Sequence, residues 1–462
     1  MMPLPAGAEI ERFAAVLTER MGMQFSEAKY DELGQALQQR AQQLGLTYAS
    51  YLDRLDGALG RSELAQLARA LTVGETYFLR NMEQFQALTE VVLPEFAQRP
   101  GPVRILSAGC SSGEEAYSIA IILRERFPEL TADITAFDLN PAILQKAESG
   151  VYSNWSLRVC PDHTRARWFR PAGASVELDA SIRSMVQFEQ RNLAEPAPSF
   201  WLEGRFDVIF CRNVLMYFSP AQAQAAVARL THALSPGGYL FLGHAETLRG
   251  LSNAFHLCHT NDAFYYQRKH HLEDATGEEG EAWPGALPAI RLPDETGWFD
   301  VIQQASARVH ALASGRNAPI DAHQESRDDD DTLLLKAINA SHDGKLDEAE
   351  SLCRTLLASD DMSAGAHYVL ALCCEGRGRA ADAFEHDSIS AYLDPGFAMP
   401  RLHMGLSLRR TGQRDAARNE LETAATLLQL EDPARVLLFG GGFQRDALIA
   451  LCRAELAGLE SP

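Results

Sequence analysis

Residues 108–120 read AGCSSGEEAYSIA. Gly109 and Gly113 bracket a turn that follows the apolar run VRIL (103–106), and Glu114 and Glu115 open the helical pattern after it. A glycine-rich turn between strand and helix commonly cradles a diphosphate, because backbone N–H groups and the helix dipole both favour negative charge there. Here the spacing is not G-x-G-x-x-G, the middle position is Ser111, and two carboxylates would repel a diphosphate. A nucleoside that carries positive charge and no phosphate reverses the sign. S-adenosylmethionine, with its sulfonium and α-ammonium, meets both conditions. Asp138, ending the next apolar run in AFDLN, has the position to accept both ribose hydroxyls. For Glu114 a structural alternative stands, since an acid in a first turn complements the helix dipole. A nicotinamide or flavin dinucleotide is the poorer ligand for this loop.

The elements that must hold these residues follow from periodicity. Strand candidates at 103–109, 133–139, 186–193, 206–213 and 237–244 alternate with helical patterns such as EEAYSIAIILRERF and PAQAQAAVARLTHAL. Near-continuous apolar strands separated by helices predict a mostly parallel sheet covered on both faces. Residues 255–269 supply a closing antiparallel pair, and the long stretch at about 152–185 reads as a small inserted subdomain. Residues 1 to about 75 read as short amphipathic helices closed by glycines.

Beyond the sheet, residues 270–331 are acidic, rich in Gly and Pro, and aperiodic, which predicts a flexible linker with a transient helix at 298–313. A repeat then begins. Gly344, Gly378 and Gly412 recur every 34 residues, as do Ala349, Ala383 and Ala417. A 34-residue helix–turn–helix unit with small residues at the crossing is the tetratricopeptide pattern, which stacks into a surface for protein segments. We assign three units to 332–430 and a capping segment to 431–462. The formal charge of −20 over 462 residues argues against nucleic acid as a partner. No run suits membrane insertion, the N-terminus lacks a secretory pattern, and eight scattered cysteines form no C-x-x-C pair. A cytoplasmic protein without a bound metal is the expectation.

The segments LTVGETYFLRNMEQF (71–85), GCSSGEEAYSIA, AFDLNPAILQKAESGVY, NLAEP, FDVIFCRNVLMYF and LSPGGYLFLGHAET together resemble the glutamate O-methyltransferases of chemotaxis receptors. The resemblance spans roughly 10–268, and with its repeat tail the chain is similar to the variant of surface-sensing pathways that control biofilm formation. It implies an α/β fold in three parts. A receptor-facing helical domain (1–85) precedes a Rossmann-like S-adenosylmethionine domain (86–269) with an inserted β-subdomain, and the helical repeat array follows the linker. It also implies site roles. Thr76 and Arg80 approach the methionine end of the cofactor, Gly109 shapes the loop, and Glu115 and Asp138 hold the amino-acid and adenosine portions. Asn192, Leu193, Asn213 and Val214 line adenine and ribose, and Tyr217 lies beside the transferring methyl. Gly74 departs from an Asn common in the family. Arg40, Arg54 and Arg61 are the basic candidates facing the receptor.

The implied chemistry is displacement of S-adenosylhomocysteine by a receptor carboxylate, making a methyl ester. A glutamate with pKa about 4.3 is already ionised at neutral pH and needs no general base. Arg80 and Tyr217 are the catalytic candidates: a guanidinium to fork a carboxylate and a hydroxyl to orient the attacking oxygen. A surface ion pair for Arg80 and plain core packing for Tyr217 remain the structural alternatives. Cys110 and Cys211 read as packing residues, and His244 as a strand-end residue near the pocket. The competing function is a non-catalytic adaptor that binds S-adenosylmethionine and acts through its repeat array.

Overall fold

A computed structural model describes residues 3–270 and 322–460, apart from 57–59, 73, 261–262, 343 and 442. The transient helix expected at 298–313 lies outside the described residues. The chain forms two compact units, Met1–Leu272 and Glu273–Pro462.

In the first unit four helices come first: α1 (Gly7–Met21), α2 (Tyr30–Gln43), α3 (Tyr48–Asp56) and α4 (Gly60–Leu71). Their apolar stripes meet in a core of their own that includes Phe13, Leu17, Leu33, Leu37, Tyr51 and Leu67. The next helix runs from α5 (Met82–Ala87) through a π turn (Leu88–Val92) into α6 (Leu93–Phe96). Pro94 lacks the N–H that an α-helix needs at that point, and the wider turn absorbs the lost bond. Phe78 to Phe96 pack into the core of the sheet, so residues 78–85 lie with the sheet although the sequence reading grouped them with the helical domain.

The sheet has seven strands in the order β6-β2-β1-β7-β8-β10-β9. They are β1 (Val103–Ala108), β2 (Ala132–Asp138), β6 (Val186–Gln190), β7 (Phe206–Cys211), β8 (Leu234–Leu242), β9 (Phe255–Thr260) and β10 (Ala263–Arg268). The first five pair in parallel, and β10 pairs antiparallel with both β8 and β9. Every residue of β7 is buried, as a central strand covered on both faces requires. α7 (Glu114–Arg126), α8 (Pro141–Ser149) and α11 (Pro220–Ala233) are the main helices between the strands. The insertion folds as a three-stranded antiparallel sheet, β3 (Val151–Tyr152), β4 (Phe169–Ala172) and β5 (Ser175–Leu178), in the order β3-β5-β4. It carries two short helices, α9 (Asp162–Trp168) and α10 (Ala180–Arg183). Two strands stop short of their apolar runs: residues 191–193 and 212–213 are loops, and both loops serve the site.

The second unit is a helical array: α12 (Ala322–His342), α13 (Leu346–Ser359), α14 (Ala364–Gly376), α15 (Ala380–Leu393), α16 (Ala398–Arg410) and α17 (Arg414–Leu430). Gly344, Gly378 and Gly412 have φ of 73°, 75° and 81°, the left-handed conformation that glycine adopts without steric cost. Each turn closes with the same bond, from Lys345, Arg379 and Gln413 N–H to Ala340, Cys374 and Leu408 C=O, at 2.8, 2.9 and 3.0 Å. Ala349, Ala383 and Ala417 are buried in these hairpins. The array ends in two helices, α18 (Pro433–Phe439) and α19 (Arg445–Glu460).

Candidate functional site

A cleft of about 320 Å³ opens at the C-terminal ends of β1, β2, β6 and β7. That is the usual place for a ligand on an open parallel sheet, and the volume falls among small-molecule sites of roughly 300–1,000 Å³. All ten residues named from the sequence line it: Thr76, Arg80, Gly109, Glu115, Asp138, Asn192, Leu193, Asn213, Val214 and Tyr217. The helical domain supplies one wall through Met21, Met23, Leu71 and Thr72. That wall is fastened by Gln24 N–H to Tyr217 C=O at 2.7 Å and by the Asn140 carboxamide to the Thr72 hydroxyl at 3.2 Å.

The glycine loop is shaped for close approach. Gly109 has φ 76°, and a Cβ there would sit 2.4 Å from Val214 Cγ2. Ser111, at φ 49°, donates its N–H to Asp138 Oδ2 at 2.9 Å, while Asn140 N–H donates to Asp138 Oδ1 at 2.8 Å. Each carboxylate oxygen of Asp138 thus holds one backbone bond and keeps a lone pair for the cleft. A Cβ on Gly74 would meet Ile143 Cδ1 at 2.6 Å, so glycine at this place lets the 74–80 segment lie close over α8. The Gly74 carbonyl accepts from Ser111 Oγ at 3.2 Å.

Glu114 and Glu115 part company. Glu114 is fully buried, accepts from the Ser112 hydroxyl at 2.7 Å and does not line the cleft, which bears out its structural alternative. Glu115 faces the cleft. Its carboxylate accepts from Ser107 Oγ at 2.7 Å and lies 3.4 Å from Arg212. Arg212, buried at the end of β7, also donates to the Arg80 carbonyl and to Asn81 Oδ1, at 2.5 and 2.6 Å. Burial raises the Glu115 carboxyl above its ordinary range, against the pull of Arg212 and Ser107, and burial likewise raises Asp138 against its backbone donors. A bound cation would offset that desolvation. Affinity for S-adenosylmethionine is therefore expected to fall as pH drops through the raised range of these carboxyls. The ligand must then displace a proton, and titration calorimetry in buffers of different ionisation enthalpy should detect its release. An affinity flat from neutral to mildly acidic pH would contradict this.

Two residues escaped the sequence reading. One is Arg212, the arginine of the FCRN segment, whose signal was a lone cation directly after a six-residue strand that is apolar apart from Asp207. The other is Glu246. Its carboxylate accepts from the N–H groups of Asn213, Val214, Met216 and Gly243, at 2.7, 2.8, 3.1 and 2.7 Å. This holds Asn213 at φ 58° and presents the 213–217 loop to the cleft. Its signal was an acid two residues past His244, which itself is exposed and off the lining.

Other expectations need adjustment. The Asn192 carboxamide is spent on the Arg20 carbonyl and on Ala194 N–H, at 2.7 and 2.9 Å, so its side chain fastens the loop to α1. Arg40 is not a free receptor-facing cation, because it makes a two-pronged pair with buried Glu63 at 2.8 and 2.7 Å. Arg80 makes no ion pair among the described residues; its guanidinium donates to the Glu75 carbonyl at 2.8 Å. Tyr217 is partly exposed on the lining rather than in the core, and its hydroxyl has no bonding partner among the described residues. Burial pushes the Cys110 and Cys211 thiols well above their usual range, so neither supplies a thiolate.

Comparison with known proteins decides the family. Residues 74–264 match the CheR methyltransferase SAM-binding domain, and residues 8–72 match the CheR methyltransferase all-alpha domain. The chain belongs to the CheR methyltransferase family. It is 37% identical to chemotaxis protein methyltransferase 2 of Vibrio cholerae over 266 residues, 56% of this chain and 92% of that protein. It is also 29% identical to the probable biofilm formation methyltransferase WspC of Pseudomonas putida over 423 residues, 90% of this chain and 97% of that protein. The likeness to WspC thus runs through the helical tail. This CheR-family chain is an S-adenosylmethionine-dependent methyltransferase, and the glycine-turned loop with the Glu115 and Asp138 carboxylates on the cleft lining fits that cofactor.

Proposed function

We propose that this chain methylates glutamate side-chain carboxylates of a methyl-accepting chemoreceptor-type protein in the cytoplasm, within a chemosensory pathway of the surface-sensing, biofilm type. The observation that carries the choice of a carboxylate is the lining of the cleft. It has no histidine among the described residues, Glu115 is committed to Arg212, Asp138 holds the loop and in this reading faces the ribose, and Glu75 lies beside Arg158. An amine or hydroxyl nucleophile needs a base to take its proton, and a carboxylate does not. Bound S-adenosylmethionine supplies a methyl made electrophilic by positive sulfur. In our reading Glu115 faces its amino-acid end and Asp138 its ribose hydroxyls, while Gly109, Leu193, Val214 and the Asn192 and Asn213 backbones enclose the rest. Thr76 and Arg80 close over the methionine end. Arg80 draws the substrate carboxylate in, and the Tyr217 hydroxyl donates to one oxygen and turns the other toward the methyl. Catalysis is then chiefly alignment, which is worth several kcal/mol.

The likeness to WspC over most of the chain supports the pathway assignment, and the stacked helical hairpins of the tail are the kind of surface that binds protein segments. Among the described residues no helix is long and apolar enough to cross a membrane. Cofactor binding belongs to the first unit in this reading, so deletion of residues 332–462 should leave S-adenosylmethionine affinity within about twofold; a truncated, folded chain that cannot bind would contradict the domain assignment. The function itself is tested by incubating the chain with methyl-labelled S-adenosylmethionine and a receptor cytoplasmic fragment. Label released as methanol by mild alkali marks a glutamyl ester. Alkali-stable label would mark an amine substrate and overturn the proposal.

A further inference from the structure

Arg158 follows the short helical turn Asn154–Leu157 in the inserted subdomain. Its guanidinium carbon lies 3.5 Å from the centre of the Tyr77 ring and 4.5 Å from that of Trp155, and it donates to the Trp155 carbonyl at 3.0 Å. The stack reaches the surface at Trp155, which is 67% exposed, and reaches the cleft at Tyr77, which lines it. Arg80 lies over the same Tyr77 ring, 5.9 Å from its centre. Two guanidinium groups therefore share one aromatic ring of the lining, Arg80 on the lining itself and Arg158 beside it with its side chain 22% exposed. The carboxylate that Arg158 meets within 4 Å among the described residues is that of Glu75, at 3.9 Å, and the Glu75 side chain is 72% exposed. Around the rest of the cleft, Arg212 is taken by Glu115 and Arg191 by Glu189, while Lys29 is an exposed cation of the lining.

We propose that Arg158 is a specificity-determining cation for the substrate carboxylate, held in position by Tyr77 and Trp155 and loosely occupied by Glu75 until substrate arrives. This rests on the reading of the chain as a carboxylate methyltransferase. A guanidinium packed against two rings has already lost much of its side-chain freedom and keeps its charge in every state of the cycle. The reaction changes the charge of its partner: the substrate oxygen gains a bond to methyl, the sulfur loses its own, and an anionic carboxylate becomes a neutral ester. Arg158 thus favours the unmodified glutamate over its product and over glutamine. Glu75, at the same guanidinium, competes with the substrate.

The test uses the full chain, labelled S-adenosylmethionine and a receptor cytoplasmic fragment. Arg158→Gln should raise KM for the receptor about tenfold, with kcat and S-adenosylmethionine affinity within about twofold. Glu75→Gln should lower KM by about threefold, and that gain should vanish when Arg158→Gln is also present. Wild-type chain should bind a receptor fragment with glutamate at the methylation sites more tightly than one with glutamine, and Arg158→Gln should bind the two alike. Opposite signs at the two positions are not what a merely structural stack would give. An unchanged KM in folded Arg158→Gln, or a higher KM in Glu75→Gln, would overturn the assignment. A wild-type chain that binds S-adenosylmethionine yet transfers nothing to any carboxylate would overturn the underlying reading, and this inference with it.

Discussion

Replacing Glu246 with alanine is expected to destabilise the first unit by roughly 3–4 kcal/mol and to remove measurable methyl transfer. Four backbone N–H groups converge on this one buried carboxylate, and three of them belong to the 213–216 segment. Bonds to an ionised acceptor are about twice as strong as neutral ones, and each donor stranded without water adds its own desolvation cost. The space is also tight, since a Cβ on Gly243 would come within 2.7 Å of both Glu246 Oε2 and Asn213 Nδ2. Without the anchor, Asn213 has little reason to keep its left-handed conformation, and Val214 and Tyr217 lose their register on the cleft. Glu246→Gln separates charge from shape. Its amide leaves one oxygen to accept and turns an NH2 toward two N–H donors, so about half the destabilisation should remain. Chemical denaturation of both variants checks this, and a loss below about 1 kcal/mol in the alanine variant would show that the loop holds itself.

Asp138→Ala should cost two to three orders of magnitude in S-adenosylmethionine affinity while leaving a folded protein. The carboxylate has one lone pair per oxygen left for the ribose diol, and two charge-assisted bonds are together worth about 3–4 kcal/mol. Part of the effect is indirect: Ser111 N–H and Asn140 N–H lose their acceptor, which frees the loop between β1 and α7. That portion should appear as a stability loss of about 1–2 kcal/mol. Asp138→Asn tells the two apart, since its remaining oxygen can keep one backbone bond while the paired acceptor is gone. Affinity near wild type in the asparagine variant would mean that Asp138 only shapes the loop.

How much of this was legible in the sequence depended on whether the signal was local. The order of strands and helices was readable because β7 and β1 are nearly uninterrupted apolar runs, and the repeat because glycine and alanine recur at a fixed spacing. The same locality explains Gly109, Glu115 and Asp138, which sit at strand ends and around the glycine turn, whereas Thr76 and Arg80, in the segment before α5, and Tyr217 were reached through the family resemblance. What could not be read was pairing across the chain. Arg212 meets Glu115, Glu246 meets Asn213, and Arg40 meets Glu63, and nothing in the neighbourhood of either partner announces the other. Strand ends failed for a related reason. At Asn213 the backbone N–H turns to the Glu246 carboxylate, and at Asn192 the side-chain carboxamide donates to the Arg20 carbonyl, so neither residue continues its strand. The grouping of residues 78–85 with the helical domain failed because Phe78 and Phe85 carry the same apolar periodicity whichever core takes them.

The central claim is that the cleft of Gly109, Glu115 and Asp138 holds an adenosyl ligand without phosphates. The most direct measurement is calorimetric titration of S-adenosylmethionine and S-adenosylhomocysteine into the full chain, with NADH as control and the Asp138→Ala variant in parallel. Micromolar binding of both adenosyl ligands, none of NADH, and loss of binding in the variant are the expected results. Binding of NADH at comparable strength, or adenosyl binding that survives loss of Asp138 undiminished, would contradict the account.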